Sequence, residues 1–250
     1  MEYSANINGI EVTAFYSDTT VREIFFPLLE RLAQLHTEKQ SRILVMLAAP
    51  PGAGKSTLVS FLEKLAKDVC PEKTFQAVGM DGFHRRQEYL LSHTANVNGR
   101  EIPMVRIKGA PVTFDLEALR RKTAELTEGR ACSWPRYDRL LHNPVEDAIT
   151  IEADIVLLEG NYLLLDSDGW RELSDFADYT ISLSADEELL RERLIDRRIL
   201  TGVERKAAEA FVDFSDMANV RLCLEKTMRA DLELAIVPDG SEIRKRESTV

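Results

Sequence analysis

The chain of 250 residues carries 32 Lys and Arg against 42 Asp and Glu, a formal net charge of −10, with 44% apolar and 30% charged residues. That balance is the one of a folded globular protein rather than a disordered one. The negative total excludes a broad nucleic-acid surface, which depends on neutralising backbone phosphates, so any phosphate handling must be local.

In chain order, Ile7-Asn8-Gly9-Ile10 predicts a turn between two short strands, because Asn-Gly readily takes φ > 0. Thr20-Val-Arg-Glu23 reads as a capping box opening a helix to about Glu38, with Ile24, Leu28, Leu32 and Leu35 on one face. Residues 1–41 are therefore expected to form a hairpin-and-helix extension. Ile43 to Ala49 is an unbroken apolar strand of the kind buried on both faces. It stops at Pro50, far short of the ~20 residues a membrane helix needs. A Gly-rich turn follows, then a helix from Lys55 to about Asp68, and a second strand from Phe75 to Met80. Gly82 to Lys108 predicts an irregular loop with a short helix near Gln87–Ser92. Asp115 to Glu128 reads as helix, Ala153 to Leu158 and Tyr179 to Ser184 as strands, and Asp186 to about Leu200 as a charged helix. A helix over Asn219–Met228 and a strand at Leu234–Val237 close the pattern. Alternating apolar strands and helices make an α/β fold, a three-layer doubly wound parallel sheet in one domain over 1–250, with ligands at the carboxyl ends of the strands. The N-terminus lacks the basic start and apolar core of a signal peptide, and Cys70, Cys132 and Cys223 are too widely spaced for a zinc site. Reduced thiols in a cytoplasmic protein are expected.

The strongest local signal is Ala49-Pro-Pro-Gly52-Ala53-Gly54-Lys55-Ser56-Thr57, between a buried strand and a helix. A loop at a helix N-terminus aims backbone N–H groups and the positive dipole end at one spot, which suits an anion. Glycines at 52 and 54 let the backbone approach phosphate oxygens. Lys55 then places a cation on the β- and γ-phosphates, and the Ser56 hydroxyl ligates Mg²⁺. The pattern's first glycine is Ala49 here, which is permissible only if that residue keeps φ < 0. Ile155-Val-Leu-Leu158-Glu159 supplies the second element, an acidic residue ending a buried strand, where one carboxylate can hold Mg²⁺ or its waters. ATP and Mg²⁺ are the expected cofactors. Neither Asn-Lys nor Thr-Lys-x-Asp occurs to read guanine, and no Leu-Ser-Gly-Gly signature of transport ATPases is present.

Met80-Asp81-Gly82-Phe83-His84 directly follows the second strand. Together with the phosphate loop, Lys108-Gly-Ala-Pro-Val-Thr-Phe-Asp115, Pro135-Arg-Tyr137-Asp138 with His142, and Leu158-Glu159-Gly160-Asn161, it resembles the phosphoribulokinase, uridine kinase and bacterial pantothenate kinase group. The Lys-Gly-x-Pro stretch looks most like pantothenate kinase and the Tyr-Asp-x-x-x-His spacing more like uridine kinase. Phrases such as Glu159-Gly-Asn-Tyr-Leu-Leu-Leu-Asp166 and Phe211-Val-Asp-Phe-Ser-Asp216 resemble a bacterial branch labelled nucleoside-kinase-like or fructose kinase. The similarity runs from about Ile43 to Thr201. It implies a P-loop, nucleoside/nucleotide kinase-like fold with a helical lid near 186–205, transferring the γ-phosphate of MgATP to a hydroxyl of a small polar metabolite. A sugar or sugar-like polyol is the first expectation, and pantothenate or a nucleoside the alternatives.

Phosphoryl transfer needs positioning and charge stabilisation more than covalent chemistry. The resemblance implies Asp81 as the group that orients the acceptor hydroxyl and takes its proton. It places Asp115 on substrate hydroxyls, although an N-cap is the residue's natural alternative, with one oxygen able to cap while the other binds. Tyr137, His142, His84, Lys108 and Asn161 are the other expected substrate contacts. For Tyr137 a core aromatic, and for His142 a surface histidine, remain alternatives. Arg193 and Arg197 share a helix face at i,i+4, where like charges repel unless an anion such as triphosphate lies between them. The alternative is an ion-paired surface helix with Glu187 and Arg191 as one pair. Arg106 is a further candidate for a basic wall near the acceptor. Arg120-Arg121-Lys122 and Arg244-Lys245-Arg246 read as solvated faces. No nucleic-acid or membrane partner is expected, and the sequence leaves monomer or homodimer open. A nucleotide-dependent regulator using the first forty residues as its partner surface is the rival from another class.

Overall fold

The structure is a computed structural model, and it describes residues 1–7, 10–97, 99–138 and 141–246. The expected Asn8-Gly9 turn lies outside the described residues, but the strands beside it, β1 (Glu2–Ile7) and β2 (Ile10–Phe15), pair antiparallel. A short turn of helix, α1 (Asp18–Thr20), and a π-turn (Val21–Phe25) then lead into α2 (Phe26–Lys39). The expected capping box at Thr20 is displaced: Ser17 is the cap, its hydroxyl accepting from the Thr20 amide at 3.0 Å. Chain continuation through the π-turn leaves Thr20 inside the helix, where its hydroxyl bonds the Ile243 carbonyl at 2.9 Å.

The central sheet has six strands in the order β12-β11-β10-β3-β9-β4, formed by β3 (Ile43–Ala48), β4 (Phe75–Gly79), β9 (Ile155–Gly160), β10 (Tyr179–Ser184), β11 (Leu232–Ile236) and β12 (Ile243–Lys245). Five strands are parallel as expected; β12 adds an antiparallel edge beside β11, so the sheet is mixed. Alternation along β3 splits its apolar run between the two layers. Ile43, Val45 and Leu47 join the cluster under α2 and α3 (Lys55–Val69), while Leu44, Met46 and Ala48 join a second cluster around Trp134, Tyr162 and Trp170. In β9, Ile155 and Leu157 face the α3 side and Val156 and Leu158 the other. Glu159, next in phase with Leu157, therefore arrives on the α3 face at the carboxyl end of the sheet.

Around this frame stand α4 (Gln87–Ser92), α5 (Leu116–Thr127), α6 (Glu187–Leu200), α7 (Arg205–Phe211) and α8 (Met217–Lys226). Asp115 and Asp186 cap α5 and α6 through their side chains. Two antiparallel ribbons interrupt the alternation where the sequence pattern shows none. They are β5 (Thr94–Val97) with β6 (Arg100–Pro103), and β7 (Cys132–Asp138) with β8 (Asn143–Ile151). The N-terminal hairpin packs on α3: the Tyr3 hydroxyl lies 2.7 Å from the Ser60 hydroxyl, and the Tyr16 ring stacks on Phe61 at 4.4 Å. No helix among the described residues is long and apolar enough to cross a membrane.

Candidate active site

The loop between β3 and α3 takes left-handed φ of 84° at Gly52 and 82° at Gly54, conformations that favour glycine. Ala49 does not take a positive φ, which meets the condition its replacement of glycine imposes. Gly54 stands at the N-cap of α3 and offers no side chain to the first amides of that helix, leaving them to an external anion. Gly54 is open to solvent, whereas Ala53 and Thr57 are buried. A Cβ at Gly52 would press on the Leu190 carbonyl and on Leu194 at 3.1 Å, so α6 lies directly over the loop. Beneath it the Ser56 hydroxyl donates to Glu159 Oε1 at 2.7 Å, with Glu159 almost fully buried. Two hard oxygen donors converging there, only one of them a carboxylate, fit Mg²⁺, which keeps several waters and takes its remaining ligands from phosphates. Behind the loop, burial pushes the Cys223 thiol up to about 12, against the pull of the Lys55 cation.

Asp81 sits in a 3-10 turn (Met80–Phe83) at the end of β4. Three contacts hold that turn. The Trp134 indole donates to the Gly79 carbonyl at 2.9 Å, and Phe83 meets Trp134 edge-on at 4.9 Å. Gly82 lies so close to β7 that an added Cβ would collide with the Pro135 carbonyl. His84 Nδ1 donates to the Asp81 carbonyl at 2.9 Å and stands 3.9 Å from Asp81 Oδ1. Its ring lies between Phe114 at 4.0 Å and Tyr137 at 5.1 Å. Lys108 Nζ donates to Gln87 Oε1 at 2.9 Å and to the His142 carbonyl at 3.1 Å, 5.0 Å from the Tyr137 ring centre. Burial draws the Lys108 pKa below the usual lysine range.

The fold thus gathers Asp81, His84, Lys108 and Tyr137. His142 joins through its carbonyl, with its imidazole on an exposed residue at φ 52°. Asp115 is nearby but engaged: Oδ1 caps α5 at the Ala118 amide, 3.1 Å, and Oδ2 accepts from Arg85 Nη1 at 3.0 Å. The oxygen expected to meet substrate already has an arginine partner. Asn161, one residue beyond β9, keeps its Oδ1 buried with no hydrogen-bond partner.

The two lid arginines part company. Arg193 reaches toward Tyr16 and Gly240, and burial lowers its pKa while Tyr16 raises it. At 100° per residue, Arg197 instead continues the stripe of Leu190 and Leu194 that covers the loop. The expected Glu187–Arg191 pair is replaced by longer-range partners: Arg191 pairs with Asp213 at 2.7 Å and Glu187 with Arg221 at 3.0 Å. Arg106 lies over the Phe214 ring at 5.2 Å. Arg120 donates to the Gly169 carbonyl; Arg121 is exposed, as expected of a solvated face, and with the half-buried Lys122 it also borders a cavity.

Two cavities open at this end of the sheet and share Gly82. One, of about 200 Å³, is bordered by Ser56, Asp81, Glu159 and Tyr137, and by Asn6 and Ile7 of the N-terminal hairpin. No sequence motif signals that reach of β1. The other, of about 250 Å³, is lined by His84 and Arg86 from the chain entering α4 and by Asp115 and Arg121 from α5.

The model of the Phosphoribulokinase / Uridine kinase family matches residues 44–239. The protein named "Uncharacterized protein YggC" of Escherichia coli is 40% identical over 96% of this chain and 98% of its own length. "Putative uridine kinase C227.14" of Schizosaccharomyces pombe is 30% identical over 78% of this chain and 83% of its own. The crystal structure of a "putative fructose transport system kinase" from Silicibacter sp. TM1040 superposes with a TM-score of 0.71 at 32% identity, covering 82% of this chain and 98% of that one.

Proposed function

The chain belongs to the Phosphoribulokinase / Uridine kinase family, a family of phosphotransferases, and on that premise we propose that it transfers the γ-phosphate of MgATP to a hydroxyl of a small polar metabolite. The observation that carries this reading is the Ser56–Glu159 contact beneath the loop, bordering the same cavity as Asp81. The loop amides from Gly52 to Thr57 and the Lys55 ammonium hold the triphosphate. Ser56 and Glu159 would hold Mg²⁺, which would supply neutralising charge to the triphosphate. Asp81 accepts a hydrogen bond from the acceptor hydroxyl, aligns it for in-line attack, and receives its proton late in a loose transition state. His84 fixes the backbone of that turn. Lys108, Tyr137 and Asn161 form the acceptor's surroundings. Arg197 closes over the phosphates from α6, and Arg193 is left out of the chemistry.

The acceptor proposed first is a sugar or sugar-like polyol, with pantothenate and nucleosides behind it; support comes from the Glu159–Asp166 and Phe211–Asp216 phrases and from the likeness to the "putative fructose transport system kinase". Three unpaired thiols suit a cytoplasmic enzyme. The test is ADP release measured with purified protein, MgATP and a panel of sugars, sugar acids, nucleosides and pantothenate. Acceptor-dependent ADP is the expected result. ADP release that responds to no small alcohol, and only to a protein, would replace the kinase reading with that of a regulator.

A further inference from the structure

The cavity of about 250 Å³ beside the Asp81 turn is lined by four basic side chains, Arg85, Arg86, Arg121 and Lys122, and by two acidic ones, Asp115 and Glu146. In a chain whose total charge is −10 this is a local reversal of sign. Two elements build it: Arg85 and Arg86 lead into α4, while Ala118, Arg121 and Lys122 fall on one face of α5 at i, i+3 and i+4. Internal pairing does not use up the charge. Three of the four cations are ion-paired: Arg85 with Asp115 at 3.0 Å, Lys122 with Glu125 at 2.8 Å and, more loosely, Arg86 with Glu146 at 3.9 Å. Among the described residues Arg121 makes no ion pair, and its guanidinium fork matches a carboxylate or phosphate in two-point fashion.

We infer that this cavity holds an anionic end of the phosphate acceptor, a carboxylate or a phosphate ester, with Arg121 as its principal partner. The inference rests on the kinase reading above and narrows it to acceptors that already carry a negative charge. The geometry suits one small molecule. Gly82 borders both this cavity and the one that Asp81 borders, and His84, 3.9 Å from Asp81 Oδ1, also lines this cavity, so an anion held near α5 lies beside the Asp81 turn. A volume of about 250 Å³ falls near the lower end for ligand cavities, which suits a metabolite of a few carbons.

Matched acceptors of one skeleton test it: glycerol, glycerate and glycerol 3-phosphate, then glucitol, gluconate and glucose 6-phosphate, each assayed by ADP release. The anionic members should exceed the neutral one at least tenfold in kcat/KM, and the carboxylate and phosphate arms identify which anion is used. Arg121→Ala should raise KM for the preferred anionic acceptor at least tenfold, leave KM for ATP within twofold, and leave the neutral acceptor unchanged; Arg121→Lys should recover part of the loss. Preference for the neutral acceptor, or an Arg121→Ala enzyme indistinguishable from wild type on the anionic one, overturns the inference. If wild type turns over none of them, the kinase reading is decided by the wider panel with nucleosides and pantothenate, and thermal shift judges the anion site. With MgADP saturating the loop, gluconate or 3-phosphoglycerate should raise the melting temperature of wild type and not of Arg121→Ala. No shift in either protein removes the site.

Discussion

Two cavities meet at Gly82 and carry opposite charge. Three carboxylates, Glu63, Asp81 and Glu159, face Arg136 in the one that reaches under the phosphate loop. In the other, four basic side chains outnumber two acidic ones. The carboxylate-rich side suits a cation, and a metal-bound triphosphate brings one; the basic side has no use for a metal and suits the far end of an anionic acceptor. The overall negative charge thus hides a division of labour that is resolved over a single turn of chain. The two sides also differ in how they are built. Sheet ends, the start of α3 and the N-terminal hairpin meet the β7–β8 ribbon in the first, whereas in the second the ribbon meets the ends of α4 and α5.

The largest expected effect comes from the wall the two share. Gly82→Ala would drive a methyl group into the Pro135 carbonyl, displacing β7 or the Asp81 turn. It should cost about 1–3 kcal/mol of stability in a denaturant titration and abolish most turnover, because both cavities deform together. Unchanged stability and activity would show that the shared wall is not rigid. Next, the arginines of α6 sharpen the boundary of the carboxylate-rich side. Arg197→Ala should lower kcat about ten- to a hundredfold with little change in acceptor KM. Arg193→Ala, which loses only its place beside Tyr16 and Gly240, should stay within about threefold of wild type while losing about 1 kcal/mol of stability. The reverse ranking would return Arg193 to the chemistry. The smallest effect is in thiol reactivity. Burial raises all three thiols, Cys223 to about 12, so accessibility decides, and the partly exposed Cys132 should react first with a thiol reagent at pH 8. Modification of Cys223 that MgATP does not slow would mean that the layer behind Lys55 opens easily.

The strands of the sheet are legible because burial on both faces leaves an unbroken apolar run, as in Ile43 to Ala48. Helix starts are legible where a cap carries its own chemistry, as at Asp115 and Asp186. The β7–β8 ribbon is not. It lies off the sheet, its exposed side is polar, and Pro135 sits at a register shift between Trp134 and Arg136, a residue that ordinarily argues against a strand. The loop, Asp81 and Glu159 come from short motifs whose residues are neighbours in sequence. What the periodicity of α6 cannot supply is the rotation of the helix about its axis. That is fixed by Leu190 and Leu194 against Gly52, and it sets Arg193 beside Gly240. Likewise Arg121 reads as surface because nothing in α5 alone reveals Arg85 and Arg86 across from it, and Asn6 gives no hint that the hairpin folds back to the cavity bordered by Ser56 and Asp81.

The central claim, that acceptor hydroxyls are activated at Asp81 beside a loop-bound MgATP, is tested most directly by comparing wild type with Asp81→Asn. The readouts are acceptor-dependent ADP release and, separately, equilibrium binding of ATP. The isosteric change removes the proton acceptor and leaves the turn's packing on Trp134 and Pro135 in place. Turnover should fall at least about a hundredfold while ATP affinity stays within about twofold. Near-wild-type turnover in Asp81→Asn would contradict the account.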